Sequence, residues 1–255
     1  MVKVIFFLVL NFITALCLSQ PLTSPSIFAH NDYLKPNPFY DAYLLEVEYI
    51  EADVFLKQGK LLVAHTRMEL NDSRTLDSLY LKPIRSAIIK NNGMAYANGK
   101  KLTLMIDLKT KGDPTLKVLI EKINLYRELI DCKNFIIAVS GDMPDPATWK
   151  SYPEFIHFDG RPGITYDPEQ LTRVVMISDN FNNYSHWNGK GVIKKEDTES
   201  IVGVIKKAHE LRKPIRFWAI PDNTGAWTKL IELQVDILNT DNISEAAAFI
   251  KRLQN

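Results

Sequence analysis

The chain has 255 residues, 46% hydrophobic and 24% charged, which is the composition of an ordinary globular domain and excludes a disordered or fibrous chain. Its formal charge of +1 gives no acidic or basic excess, so neither nucleic acid nor an anionic membrane is needed as an obligatory partner. The length suits one large domain, read here as a monomer.

At the N-terminus Lys3 precedes a mostly apolar run from Val4 to Leu18, followed by Ser19 and Gln20. That run is about 15 residues long, short of the ~20 needed to span a bilayer. Residues 1–19 therefore read as a cleaved signal peptide, and the mature domain, 20–255, as exported to a periplasm or secreted. Lipid attachment at Cys17 is disfavoured by the bulky Leu16 before it. Cleavage after Ser19 removes Lys3 and takes the formal charge from +1 to zero. Only Cys132 then remains, so the mature chain must hold together without an intramolecular disulfide.

Short β-branched and aliphatic runs recur along the rest of the chain. They lie at Ser26 to Ala29, Tyr49 to Phe55, Leu61 to Ala64, Leu102 to Leu108, Phe135 to Val139, Glu154 to Phe158, Val174 to Ile177, Ile215 to Ile220 and Val235 to Asn239. Most are continuously apolar, as strands buried on both faces are. Helical spacing of apolar residues is clearest at Asp113 to Ile130, Glu196 to Leu211, Thr224 to Leu233 and Ser244 to Leu253. Alternating β and α segments point to a parallel sheet. With Leu61 to Ala64 taken as an extension of the second unit, eight strands remain, and a closed (β/α)8 TIM barrel is preferred over an open doubly wound sheet. Between Gly141 and Gly191 the helix signal is weak, and Pro, Gly, Asn and aromatic residues dominate, as in loops over a site.

Charged residues inside apolar strands carry the chemistry. His30 ends the first strand, Glu51 and Asp53 lie in the second, His65 closes its continuation, and Asp107 ends the third; in a barrel, strand C-termini share the catalytic face. Glu51 and Asp53 are two residues apart, so both point to one side. Two carboxylates projecting together from Ile50-Glu51-Ala52-Asp53-Val54 repel and are costly to desolvate without a cation between them. With Asp107 the donor set is all oxygen, which suits one Mg²⁺ or Ca²⁺ rather than Zn²⁺.

The segments His30-Asn31-Asp32-Tyr33, Glu51-Ala52-Asp53, Ala64-His65 and Asp107-Leu108-Lys109 resemble the superfamily that joins phosphatidylinositol-specific phospholipase C with the glycerophosphodiester phosphodiesterases. The endings Phe217-Trp218-Ala219-Ile220 and Asp236 to Asp241 are similar to the latter. The resemblance implies Asn31, Glu51, Asp53 and Asp107 as metal ligands, His30 and His65 as acid and base, Lys109 on the phosphate and Trp218 beside the substrate. It implies a phosphoric diester hydrolase acting on a glycerophosphodiester or phospholipid headgroup. In that mechanism one histidine takes a proton from the attacking hydroxyl while the other protonates the leaving alkoxide. Glycerophosphodiesterases carry Arg after the first His and Glu as third ligand, where this chain has Asn31 and Asp107; an Asp there also resembles sphingomyelinase D.

Two other readings stay open: a phospholipase C- or D-type lyase that leaves a cyclic phosphate, and a non-catalytic headgroup- or carbohydrate-binding barrel. A binder has no need of both histidines. His157 and Asp159 read equally as pocket lining or as an ordinary loop pair, and both are left out of the core site. His186 is placed in a loop near substrate, His209 on a solvated helix face, and Asp241 as the cap of the last helix. No basic cluster dedicated to inositol phosphates is identified.

Overall fold

A computed structural model describes residues 24–254; the expected signal peptide, 1–19, lies outside them. Nine strands are present among the described residues: β1 (Ser26–Ala29), β2 (Tyr49–Lys57), β3 (Lys60–Val63), β4 (Leu102–Leu108), β5 (Phe135–Gly141), β6 (Ile156–Gly160), β7 (Val174–Asn180), β8 (Ile215–Trp218) and β9 (Ile237–Thr240). Eight of them are parallel, in the ring order β1, β2, β4, β5, β6, β7, β8, β9, with β9 returning to β1. This is the closed TIM barrel. Strand β3 is antiparallel to β2 and extends it past the mouth. The hairpin turn puts Gln58 at φ 51° and Gly59 at φ 75°, the left-handed pair that a two-residue hairpin demands.

The helices are α1 (Tyr40–Leu44), α2 (Lys82–Lys90), α3 (Gly112–Ile123), α4 (Arg127–Asp131), α5 (Pro168–Arg173), α6 (Lys195–Glu210), α7 (Thr224–Glu232) and α8 (Ile243–Leu253). The single helix expected from Asp113 to Ile130 is two. Asn124 and Leu125 close a turn, Tyr126 leaves the helical region, and α4 restarts so that Leu129 is buried alongside Leu116, Leu119 and Ile123. An unbroken helix would turn Leu129 off that face. The α2 helix, not among the segments read as helical from sequence, continues directly from a π-helical turn at Asp77–Leu81, and Pro83 stands just past the junction.

Two apolar layers result. The larger packs the outer faces of the strands against the helices. The smaller fills the barrel itself with Phe28, Met105, Ala138, Met176 and Ile237. Above this plug, toward the C-terminal ends of the strands, the inward positions turn polar: Glu51, Ser140, Asp159, Ser178, Arg216 and Asn239 are all buried. Side chains alternate along each strand, so apolar outward positions and polar inward ones coexist in the same short segment.

Candidate active site at the barrel mouth

All eight residues singled out from the sequence line one cavity of about 330 Å³: His30, Asn31, Glu51, Asp53, His65, Asp107, Lys109 and Trp218. Register explains the convergence. Asp53 on β2 lies opposite Asp107 on β4, which lies opposite Ser140 on β5, so three neighbouring strands present polar groups at one level. His30 follows β1 and is pinned by its backbone N–H to the Thr240 carbonyl of β9 at 3.0 Å. His65 arrives from the β3 hairpin.

The turn after β1 is the most constrained part of the site. Asn31 is left-handed, φ 50°, and its backbone N–H donates to Glu51 Oε2 at 3.0 Å. Asp32 is fully buried; its Oδ2 accepts the Phe39 N–H at 2.6 Å and the Tyr80 hydroxyl at 2.8 Å. Tyr33, also buried, brings its hydroxyl to Asn31 Oδ1 (2.7 Å), Asp53 Oδ2 (2.8 Å) and His65 Nδ1 (3.0 Å). One phenolic proton serves three neighbours, so this hydroxyl couples the first turn, the acid and the second histidine.

Each histidine has carboxylate neighbours. His30 Nδ1 lies 3.0 Å from Asp241 Oδ1, and its Nε2 lies 3.6 Å from Glu51 Oε2. Burial alone lowers the His30 pKa, but the Asp241 hydrogen bond and the charges of Glu51 and Asp241 outweigh it and raise the net value. Asp241 does not cap the last helix as expected: Asn242 holds the cap position without a side-chain bond, and the Asp241 carboxylate faces His30 and Asn31 instead. It orients a catalytic-type imidazole in the manner of a carboxylate behind a histidine. Asp222 holds that loop by accepting the Thr240 hydroxyl (2.7 Å) and the Asp241 N–H (2.9 Å).

Burial pushes Glu51 above the usual carboxylate range against the opposing charges of His30 and Arg216, and pushes Asp53 up against the Lys109 charge and the hydrogen bond from the Tyr33 hydroxyl. Both are short of positive charge. The Lys109 ammonium answers part of this need, 3.1 Å from Asp53 Oδ2 and closer still on Asp107. The oxygen donors fit a hard divalent cation in chemistry and charge. As they stand they form no ready cage: no group of three or more His, Cys, Asp or Glu poised for a metal occurs among the described residues, and an ammonium bridges two of the acids.

The far wall was not legible beforehand. Ser140, Gly141, Arg161 and Arg216 complete the lining. Asp159, set aside from sequence, is fully buried behind them and pairs with both arginines. The signal was available: Asp159 and Arg216 are single charges inside buried strands, the same oddity that marked Glu51. Trp218 is 38% exposed at the rim. His157 and His186 do not line this cavity, and His209 is exposed on α6, paired with Asp236 at 2.8 Å.

Residues 18–142 match the family described as AIM6-like phosphodiesterase domain. The chain is 25% identical over 270 residues to the Altered inheritance of mitochondria protein 6 homolog of Arthroderma benhamiae, covering 88% of this chain and 83% of that protein. It is 27% identical over 274 residues to Altered inheritance of mitochondria protein 6 of Eremothecium gossypii, covering 88% and 69%. A glycerophosphodiester phosphodiesterase from Parabacteroides distasonis shares the fold at TM-score 0.56 and 12% identity, over 91% of this chain and 98% of that one. Another, from Agrobacterium tumefaciens, does so at TM-score 0.52 and 17% identity, over 89% and 99%. The segment that matches this phosphodiesterase domain carries His30 through Lys109, and the solved glycerophosphodiester phosphodiesterases share the barrel fold.

Proposed function

We propose that the chain is an exported phosphoric diester hydrolase acting on a glycerophosphodiester or phospholipid headgroup, with His30 and His65 as its proton-transfer pair. What carries the reading is that both histidines, three carboxylates and Lys109 line one mouth cavity in a phosphodiesterase-type barrel. In this reading the two imidazoles approach the diester from β1 and from the β3 hairpin. One accepts the proton of the attacking hydroxyl; the other delivers a proton to the departing alkoxide. Asp241 fixes the His30 ring and Tyr33 the His65 ring, so neither has to be ordered during reaction. Lys109 lies within reach of a non-bridging phosphoryl oxygen. Asn31, Glu51, Asp53 and Asp107 would hold one Mg²⁺ or Ca²⁺, which supplies compensation for charge on the phosphoryl oxygens.

Turnover of bis(p-nitrophenyl) phosphate by the purified chain with Mg²⁺ or Ca²⁺, and its loss on chelation, is the test. His30→Ala and His65→Ala should each lower turnover on the order of 10²- to 10⁴-fold, and the double variant by far less than the product. Full activity in both single variants would dismiss the two-histidine mechanism. Export predicts a secreted product whose N-terminal residue is Gln20.

A further inference from the structure

The two histidines stand on unlike supports. His30 ends a strand of the ring: its N–H is bonded to the Thr240 carbonyl at 3.0 Å, its ring meets Asp241, and Lys35 Nζ ties the turn after it to the Asp241 carbonyl at 2.5 Å. His65 follows β3, an antiparallel addition to β2 that is not a member of the closed ring. Its side chain is 53% exposed, so burial does not hold it in place. Proton transfer at both ends of one phosphate needs the two rings at a fixed span, and a misplacement of about 1 Å costs up to roughly 10²-fold in rate.

Arg74 touches both supports. After His65 the chain passes through a 3-10 turn at Arg67–Glu69 and a tight turn closed by the Arg74 N–H on the Asn71 carbonyl at 3.0 Å. This brings Arg74 back alongside β3, where its carbonyl accepts the Val63 N–H at 2.8 Å, two residues before His65, and Thr75 bridges to Leu62. Its side chain reaches the turn after β1, where Nη2 donates to the carbonyl of Tyr33, three residues after His30. Tyr33 is also the residue whose hydroxyl lies 3.0 Å from His65 Nδ1. The Arg74 charge bears on Tyr80 as well, whose hydroxyl donates to Asp32 in the same turn. A cationic donor on a carbonyl makes a bond about twice as strong as a neutral one. Arg74 is half-buried and does not line the mouth cavity, so it acts only through the residues it holds.

We propose that Arg74 is a positioning residue that sets the span between His30 and His65, its backbone fixed to β3 and its guanidinium fixed to the turn after β1. The inference rests on the diesterase reading and adds the residue that places its two imidazoles relative to each other. The backbone half of this strap is available to any side chain. Only the guanidinium half is specific to Arg74, and substitution removes that half alone.

The test is steady-state turnover of bis(p-nitrophenyl) phosphate by the full chain, with Mg²⁺ or Ca²⁺, for wild type, Arg74→Met, Arg74→Lys, His65→Ala and the double variant His65→Ala/Arg74→Met. Circular dichroism and urea unfolding check that each is folded. Arg74→Met keeps the apolar stem and loses the donors; kcat should fall roughly 10- to 100-fold with KM little changed. Arg74→Lys retains one cationic donor and should recover part of the loss. In the His65→Ala background Arg74→Met should be close to silent, because no second imidazole is left to place. Wild-type kcat in Arg74→Met would overturn the proposal. So would an equal fall with and without His65, which general loosening of the fold would give, or a rise in KM at constant kcat, the mark of a lost binding contact. If Arg74→Met does not fold, Arg74→Lys carries the same comparison in both backgrounds, with a smaller fall expected in the presence of His65 and none in its absence. No turnover by the wild-type chain would remove the diesterase reading, and the role of Arg74 with it.

Discussion

Asp32 offers a sharp test of how the turn after β1 is held. Its carboxylate is fully buried, ties the turn to Phe39 and Tyr80 through Oδ2, and leaves Oδ1 without a partner. Burial pushes its pKa from 3.8 to about 6 against those two hydrogen bonds. At about 1.36 kcal/mol per tenfold in proton affinity, the ionised carboxylate costs the folded state about 3 kcal/mol. The folded pKa lies above the unfolded one, so the stabilisation from protonated Asp32 is fully present below pH 3.8 and is lost as the pH rises to about 6. Asp32→Asn keeps one acceptor for Phe39 and Tyr80 but cannot ionise. At pH 8 the variant should be more stable than wild type by about 1–3 kcal/mol, part of the gain going to an amide donor left where Oδ1 is now orphaned. Near pH 4 the advantage should vanish or reverse. Urea unfolding of both proteins from pH 4 to pH 8, followed by circular dichroism, measures the difference directly and cancels other titrating groups. Parallel stability curves with no pH-dependent gap would mean that Asp32 does not titrate in this range, and the burial argument would fail.

Gly141 is left-handed, φ 75°, and a Cβ there would lie 2.5 Å from the Leu108 carbonyl and 2.6 Å from Asp107 Oδ1. Gly141→Ala should therefore cost about 1–3 kcal/mol in melting experiments and also depress turnover, because the clash displaces Asp107. Tyr33→Phe keeps the buried ring but removes the hydroxyl that joins Asn31, Asp53 and His65; turnover should fall roughly 10- to 100-fold with the circular dichroism spectrum unchanged. Unaltered kinetics would show that the hydroxyl does not organise the site. Lys109→Met frees Asp53 and Asp107 from their internal cation, so calorimetric Mg²⁺ or Ca²⁺ affinity should rise while turnover drops; unchanged affinity would mean that the ammonium does not compete for the acids.

The barrel was legible because parallel strands covered on both faces must be apolar throughout, and β1, β2, β4, β5 and β7 announce themselves in this way. A charge inside such a run has nowhere to go but the mouth, which is why Glu51, Asp53 and Asp107 were identifiable as a set. The same rule applied to Arg216 and Asp159 would have exposed the basic wall; it was obscured by the Gly- and Pro-rich stretch around β6 and by the shortness of β8. Other features leave no local pattern at all. Asp241 meets His30 across 211 residues because the ring closes β9 onto β1, and the Tyr33 hydroxyl reaches Asp53 and His65 only because the left-handed turn at Asn31 swings it inward. Composition and periodicity determined the strands, the barrel and the identity of the acids and histidines. Closure of the ring alone decided which carboxylate orients which imidazole, that Lys109 bridges two acids, and that two arginines share one aspartate, because these contacts join strands far apart in sequence whose spacing encodes no register between them.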